Sequence, residues 1–147
     1  MKRKLQFVLL LLLAAVTLSA CASGAKFTEV NPNLVSESPD MGRIFFYRPS
    51  SLGAALQPDV MLNNEKIGKA ISWGFFYIDR PAGNYQCVTS TEVKRKLSFI
   101  LEPGQTRYVR FSVSFGFFVG HVYGELVDNT VGLNEIKECK YSGGEKL

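Results

Sequence analysis

The sequence is poor in the side chains that most often carry out chemistry. It holds one histidine and three cysteines in 147 residues. No Cys-x-x-Cys or His-Glu-x-x-His spacing is present to seat a metal. There is no Gly-x-Ser-x-Gly elbow and no glycine-rich loop of the phosphate-cradling kind. These absences remove the commonest signatures of metalloenzymes, serine hydrolases and nucleotide-binding folds, so the chain is expected to be non-enzymatic and without a cofactor or metal. His121 shares its strand face with Val119, Tyr123 and Glu125. With no second histidine to join it, it reads as a structural or surface residue.

A surplus of one charge is also missing from most of the chain. The formal charge is +4, from 17 basic and 13 acidic residues. Three of the basic residues, Lys2, Arg3 and Lys4, cluster at the start, and without them the balance is 14 against 13. The basic isoelectric point therefore belongs to the first residues and gives no argument for nucleic-acid binding. Long apolar runs are scarce too. Leu5 to Val16 is the one extended stretch, and it falls short of the roughly 20 apolar residues that a spanning helix needs.

What is present begins with that stretch. Lys2-Arg3-Lys4, the apolar run and the small, polar Thr17 to Ala20 form the three parts of an export signal. Leu18-Ser19-Ala20-Cys21 has the form of a bacterial lipobox, in which the chain is cut before the cysteine and the new terminus is fatty-acylated. Lipid attachment is expected at Cys21. Two other outcomes stay open: cleavage after Ala22 by an ordinary signal peptidase, and retention of the segment as an uncleaved anchor. Each buried methylene contributes about 0.8 kcal/mol, and two or more chains hold firmly. By resemblance to lipoprotein sorting rules, Ala22 rather than Asp after the cysteine favours the outer membrane, with the protein facing the periplasm.

Residues 1–20 thus form a signal peptide and 21–41 a lipidated N-terminus and flexible tether, since Ala22 to Met41 lacks any period and contains Pro32 and Pro39. Fully extended, about 20 residues reach ~65 Å. Residues 42–147 make one domain of ordinary size, and its signal is β. Arg43 to Arg48 is aromatic and branched and stops at Pro49. Pro58 to Leu62, Glu65 to Lys69, Ser72 to Arg80 and Asn84 to Thr91 follow, with turns at Asn63-Asn64 and Pro81-Ala82-Gly83. Thr91 to Lys96 reads as a polar connection into Leu97 to Leu101. Glu102-Pro103-Gly104-Gln105 is a further turn. Val109, Phe111, Val113 and Phe115 alternate with polar partners, and Gly116 to Val127 is a strand or hairpin. Leu133, Ile136 and Cys139 or Lys140 recur at helical spacing, with Asn129 or Thr130 as cap. The expected fold is all-β, an Ig- or transthyretin-like sandwich of about seven strands with a short C-terminal helix. A partly closed barrel is the alternative. Both Pro-Gly turns read as hairpin chemistry.

Gly42-Arg43-Ile44-Phe45-Phe46-Tyr47-Arg48-Pro49, Pro58-Asp59-Val60, Phe76-Tyr77-Ile78 before Pro81-Ala82-Gly83-Asn84-Tyr85, Tyr108-Val109-Arg110, Gly116 to Gly120 and Glu138-Cys139-Lys140 together resemble a family of bacterial envelope lipoproteins that carry a domain of unknown function. The stretch around Pro81 to Tyr85 is also similar to PEGA-type β-domains of bacterial surfaces. The resemblance spans about Gly42 to Lys140. It implies a secreted β-sandwich and supplies no active site.

Four features remain as candidate sites. With Cys21 lipidated, Cys87 and Cys139 are an even pair in an oxidising compartment, and a bridge closing about 52 residues would stabilise by up to about 4 kcal/mol. The alternative is two buried thiols too far apart to join. Lys94-Arg95-Lys96 falls in an expected hairpin loop, where it would meet acidic headgroups or simply be solvated. Trp73, Phe75 and Tyr77, together with Phe117, are the most suggestive, because consecutive aromatics on a strand must point to both faces. Either some lie outside as a surface for a partner, or an extra loop, the tether or the helix covers them. The expected partners are the membrane, through the N-terminal lipid, and an envelope protein or a glycan such as peptidoglycan or surface polysaccharide. Nucleic acid is not expected.

Overall fold

A computed structural model describes Gln6 and residues 21–30, 38–115 and 120–143. Apart from Gln6, the export signal lies outside the described residues, as do Phe117 and its neighbours.

Among the described residues nine strands form two sheets. They are β1 (Met41–Arg48), β2 (Asp59–Leu62), β3 (Glu65–Lys69), β4 (Gly74–Pro81), β5 (Gly83–Thr89), β6 (Glu92–Leu101), β7 (Thr106–Phe115), β8 (Gly120–Val127) and β9 (Lys140–Tyr141). The five-stranded sheet runs β8-β7-β1-β4-β9 and the four-stranded sheet β3-β2-β5-β6. A short helix, α1 (Asn129–Ile136), follows β8. The molecule is a mostly-β sandwich with a C-terminal helix, as the strand pattern predicts.

β1 is central. It pairs antiparallel with β4, from Met41 opposite Pro81 to Arg48 opposite Gly74, and parallel with β7, from Arg43 opposite Thr106 to Tyr47 opposite Arg110. Residues 42–48 are buried on both faces, which is why Ile44 to Tyr47 reads as an unbroken apolar run and not as an alternation. Its even-numbered residues Ile44 and Phe46 enter the core between the sheets, with Phe76, Ile78, Val109, Phe111 and Val122 from the same sheet and Val60, Leu62, Phe99 and Leu101 from the other. Its odd-numbered residues Phe45 and Tyr47 enter a second core on the outer face.

Both Pro-Gly turns depart from the hairpin expectation. Pro81-Ala82-Gly83 carries the chain from β4 in one sheet to β5 in the other, and Glu102 to Gln105 carries it from β6 back to β7. The two turns lie together at the start of β1, where Ala82 N donates to Asp40 O (3.0 Å) and Gly104 N to Met41 O (2.9 Å). They close one pole of the sandwich. The other connection also differs: β6 begins at Glu92, so Lys94, Arg95 and Lys96 belong to a strand and not to a loop. Arg95 lies over the Tyr123 ring at 4.6 Å. The helix cap falls one residue before the expected pair, with the Asp128 carboxylate accepting from Thr130 N at 2.8 Å.

Candidate functional site

The second core is what the aromatic surplus is for. Phe45, Tyr47, Phe75 and Tyr108 leave the outer face of the five-stranded sheet and are covered by Phe27, Ile136 and Cys139. Phe27 sits edge-on against Phe45 (5.6 Å) and Phe75 (5.3 Å), and Phe45 stacks on Tyr108 at 5.2 Å. Of the four aromatics expected on a partner surface, the tether and the helix cover Phe75, and Tyr77 packs at the edge of the same core. Phe75 is fully buried, so its expected place on a partner surface is corrected. Tyr77 is half-buried and carries the Arg43 guanidinium over its ring at 4.7 Å. That guanidinium is held in turn by both oxygens of Asp79, at 2.7 Å each. Trp73 is half-buried and lies in the turn before β4.

The segment expected to be a flexible tether is therefore docked over 21–30. Ala22 N donates to Ser72 O (3.0 Å), Phe27 N to Cys139 O (3.0 Å) and Tyr141 N to Ala25 O (2.7 Å). Cys21 forms a parallel bridge with Ser72, and Lys26 an antiparallel one with Lys140. The strap runs from the end of β1 across the outer face, and Phe27 is the apolar side chain that seats it. A lone aromatic in a polar stretch was the one sign of this in the sequence. Cys21 itself is exposed, with its sulfur 4.0 Å from Ser72 Oγ.

The disulfide expectation is also corrected. Cys87 lies in the core between the sheets and Cys139 in the core on the outer face, so the five-stranded sheet separates them. Both are unbridged buried thiols, and burial pushes each up to about 12.

Around Cys21 the chain builds a pole that the sequence did not announce. Arg48, the last inward-facing residue of β1, is fully buried and pairs with no carboxylate among the described residues. Its guanidinium donates instead to the carbonyls of Leu56 (2.5 Å), Ala70 (3.0 Å), Leu52 (2.5 Å) and Gly53 (2.8 Å). Burial lowers its pKa. Ser72 Oγ donates to Ser50 O at 2.7 Å. Loop 49–57, turn 70–73 and the first residues of the strap are thereby fastened into one surface.

Two other polar groupings stand apart from it. On the outer face Glu135 of α1 accepts from Tyr47 Oη (2.6 Å) and Arg110 (2.9 Å), and Arg110 also reaches Glu125 at 3.2 Å. Burial and the Glu135 carboxylate raise the Tyr47 pKa. These groups answer one another and tie the helix to the sheet. His121 Nδ1 donates to Thr91 O at 2.6 Å and lies 3.8 Å from Glu92, stapling β8 to the start of β6. Across the four-stranded sheet a shallow groove of about 400 Å³ is floored by Asn84, Gln86, Ser98 and Ile100. Among the described residues no cluster of three or more His, Cys, Asp or Glu is placed to hold a metal, and no helix is long and apolar enough to cross a membrane.

Comparison with known proteins gives a family and no chemistry. The family model described as a protein of unknown function (DUF2846) matches residues 38–122, from just before β1 into β8. An uncharacterized protein of Haemophilus influenzae is 32% identical over 129 residues, covering 84% of this chain and 77% of that protein. No solved structure matches. Because the family model matches more than half of the chain, the chain belongs to the DUF2846 family.

Proposed function

We propose that the protein is a lipid-anchored, non-enzymatic lipoprotein of the bacterial cell envelope that serves as an interaction or structural module. Its export signal is cut before Cys21, and Cys21 carries the lipid. The sandwich would be Ig- or transthyretin-like, with a PEGA-like stretch at Pro81 to Tyr85. Ala22 directs it to the outer membrane, facing the periplasm. One observation carries the reading: the lipobox cysteine is exposed beside the domain, with the next residue, Ala22, bonded to Ser72. A cut at that residue releases a chain whose first amide belongs to the domain. Metabolic labelling with a fatty acid tests it. The native protein is expected to incorporate label and Cys21→Ser to incorporate none and stay unprocessed; labelling of Cys21→Ser overturns the assignment. Crosslinking in intact envelopes followed by pull-down is expected to recover a reproducible protein partner.

A glycan-binding role is the second reading, and Trp73 is the observation that favours it. It is the single tryptophan, half-exposed at a turn, whereas Tyr77 already has Arg43 on its ring. Sedimentation with purified sacculi that is lost in Trp73→Ala would support it, and equal binding by the variant would remove it.

A further inference from the structure

Three segments meet around Cys21: residues 21–25 of the strap, the loop 49–57 and the turn 70–74. Their sequences are Cys-Ala-Ser-Gly-Ala, Pro-Ser-Ser-Leu-Gly-Ala-Ala-Leu-Gln and Ala-Ile-Ser-Trp-Gly. None holds a charged residue, in a chain in which 20% of residues are charged. The charge that does lie beneath them, Arg48, is buried and spent on their own carbonyls. The side chains turned outward are apolar or small: Leu52 is 52% exposed, Ala55 is exposed and Trp73 is half-exposed. Lysines fringe two of the three segments. Lys26 follows the strap segment, Lys69 precedes the turn and Lys140 bridges to Lys26, and all three are exposed.

We infer that this charge-free pole is a bilayer-contacting surface, on which the domain rests with its Leu52 loop and Trp73 at the membrane interface. The inference builds on the lipoprotein reading. A lipid on Cys21 enters the bilayer directly beside Ser72, and so the surface around Ser72 is brought to the headgroups. Tryptophan is favoured at that depth because its ring is apolar while its N–H can meet water. The fringing lysines bury their stems and place their ammonium groups among anionic headgroups. Trp73 holds a left-handed backbone (φ 51°), which a bulky side chain rarely adopts. Its carbonyl accepts from Lys140 N at 2.8 Å and Gly74 N bonds to Ile71 O at 3.0 Å, so the turn keeps the ring at the pole.

The test uses the acylated full-length protein in vesicles of phosphatidylethanolamine and phosphatidylglycerol, with or without bromine on the acyl chains. Trp73, as the single tryptophan, reports by its own fluorescence. Flotation and the mass of the N-terminus come first: a protein that lacks acyl groups and fails to float overturns both the lipoprotein reading and the pole. For the floating protein, bromolipid is expected to quench Trp73 by about twofold or more, the behaviour of an interfacial ring. Unchanged emission, with the protein bound and acylated, overturns the pole alone. A second reporter, Ala82→Trp in a Trp73→Phe background, sits at the opposite pole and is expected to stay unquenched. Equal quenching there also overturns the orientation.

Discussion

Arg48 occupies the place where the inward row of β1 runs out of apolar partners. An arginine buried without an acid is costly unless its donors are satisfied, and here four carbonyls from one loop and one turn take up the two terminal nitrogens, while Nε has no partner. The residue therefore acts as a plug for the end of the core, and its exchange should be felt through the loop it holds. Arg48→Met strands several acceptors, each worth ~1–3 kcal/mol when buried. Urea denaturation is expected to show a loss of about 3 kcal/mol, with Arg48→Lys recovering only part of it because an ammonium has three donors and no fork. A loss below about 1 kcal/mol would show that the loop finds other donors. The two interior thiols make a separate prediction at this scale. Since burial pushes both up to about 12, their thiolate fraction at pH 8 is on the order of one in ten thousand. Cys87 and Cys139 should resist a thiol reagent in the native protein, react together on denaturation, and leave no crosslinked peptide in a non-reducing digest. A recovered Cys87–Cys139 peptide would mean that the sheet between them does not stand as described.

At the scale of elements, the outer face of the five-stranded sheet depends on two covers, α1 and the strap, and each has a glycine where it comes closest. A Cβ at Gly132 would lie 2.4 Å from Tyr108 Cγ, under a ring stacked on Phe45. Alanine normally favours a helix over glycine by about 1 kcal/mol. Here the clash outweighs it, and Gly132→Ala is expected to cost about 2 kcal/mol net by thermal or urea unfolding. A stabilised variant would refute the close packing of α1. For the strap, Phe27→Ala removes the ring between Phe45 and Phe75 and is expected to cost ~3 kcal/mol. Hydrogen exchange should then rise at Ala22, Phe27 and Tyr141 and stay slow in β1. These covers also mark where sequence reading stopped. The strands, the Asn63-Asn64 turn and the helix were legible because period and turn chemistry are local. Whether a turn joins neighbours or crosses between sheets is set by which faces are buried, so Pro81 to Gly83 and Glu102 to Gln105 looked alike as hairpins. The Cys87–Cys139 pair failed for the same reason: facing inward or outward depends on register, which shifts with a single residue. Phe27 was the strap's only mark in the sequence, because its partners, Cys139, Tyr141 and Ser72, come from distant segments that only the fold assembles. Arg48 gave no sign of its role, and the uncharged loop after it looked like an ordinary connection.

At the scale of the whole molecule, the strap turns a chain with ~65 Å of possible reach into one with almost none, because bonding starts at Ala22. Under the proposed lipid anchor at Cys21, the molecule would stand on the membrane by one pole and present the other, with its two sheet-crossing turns, away from it. The distance from bilayer to far pole is then the length of the sandwich, about 33 Å for its ten-residue strands. Energy transfer from a donor on Ala82→Cys to acceptor lipids in the headgroup layer can read that height in the acylated protein. The native strap should give a short, narrowly distributed separation near the sandwich length. A Gly24→Ala and Phe27→Ala double variant undocks the strap, because a Cβ at Gly24 would fall 2.0 Å from Tyr141 O and the seating ring is gone. Its domain gains slack from the residues between Cys21 and β1, so the mean separation should lengthen by roughly ten ångströms or more and the distribution broaden. An identical separation in the two proteins would mean that the strap does not set the height. The domain would then be held at the surface by its own contacts, and those contacts would have to come from the Leu52 loop and Trp73.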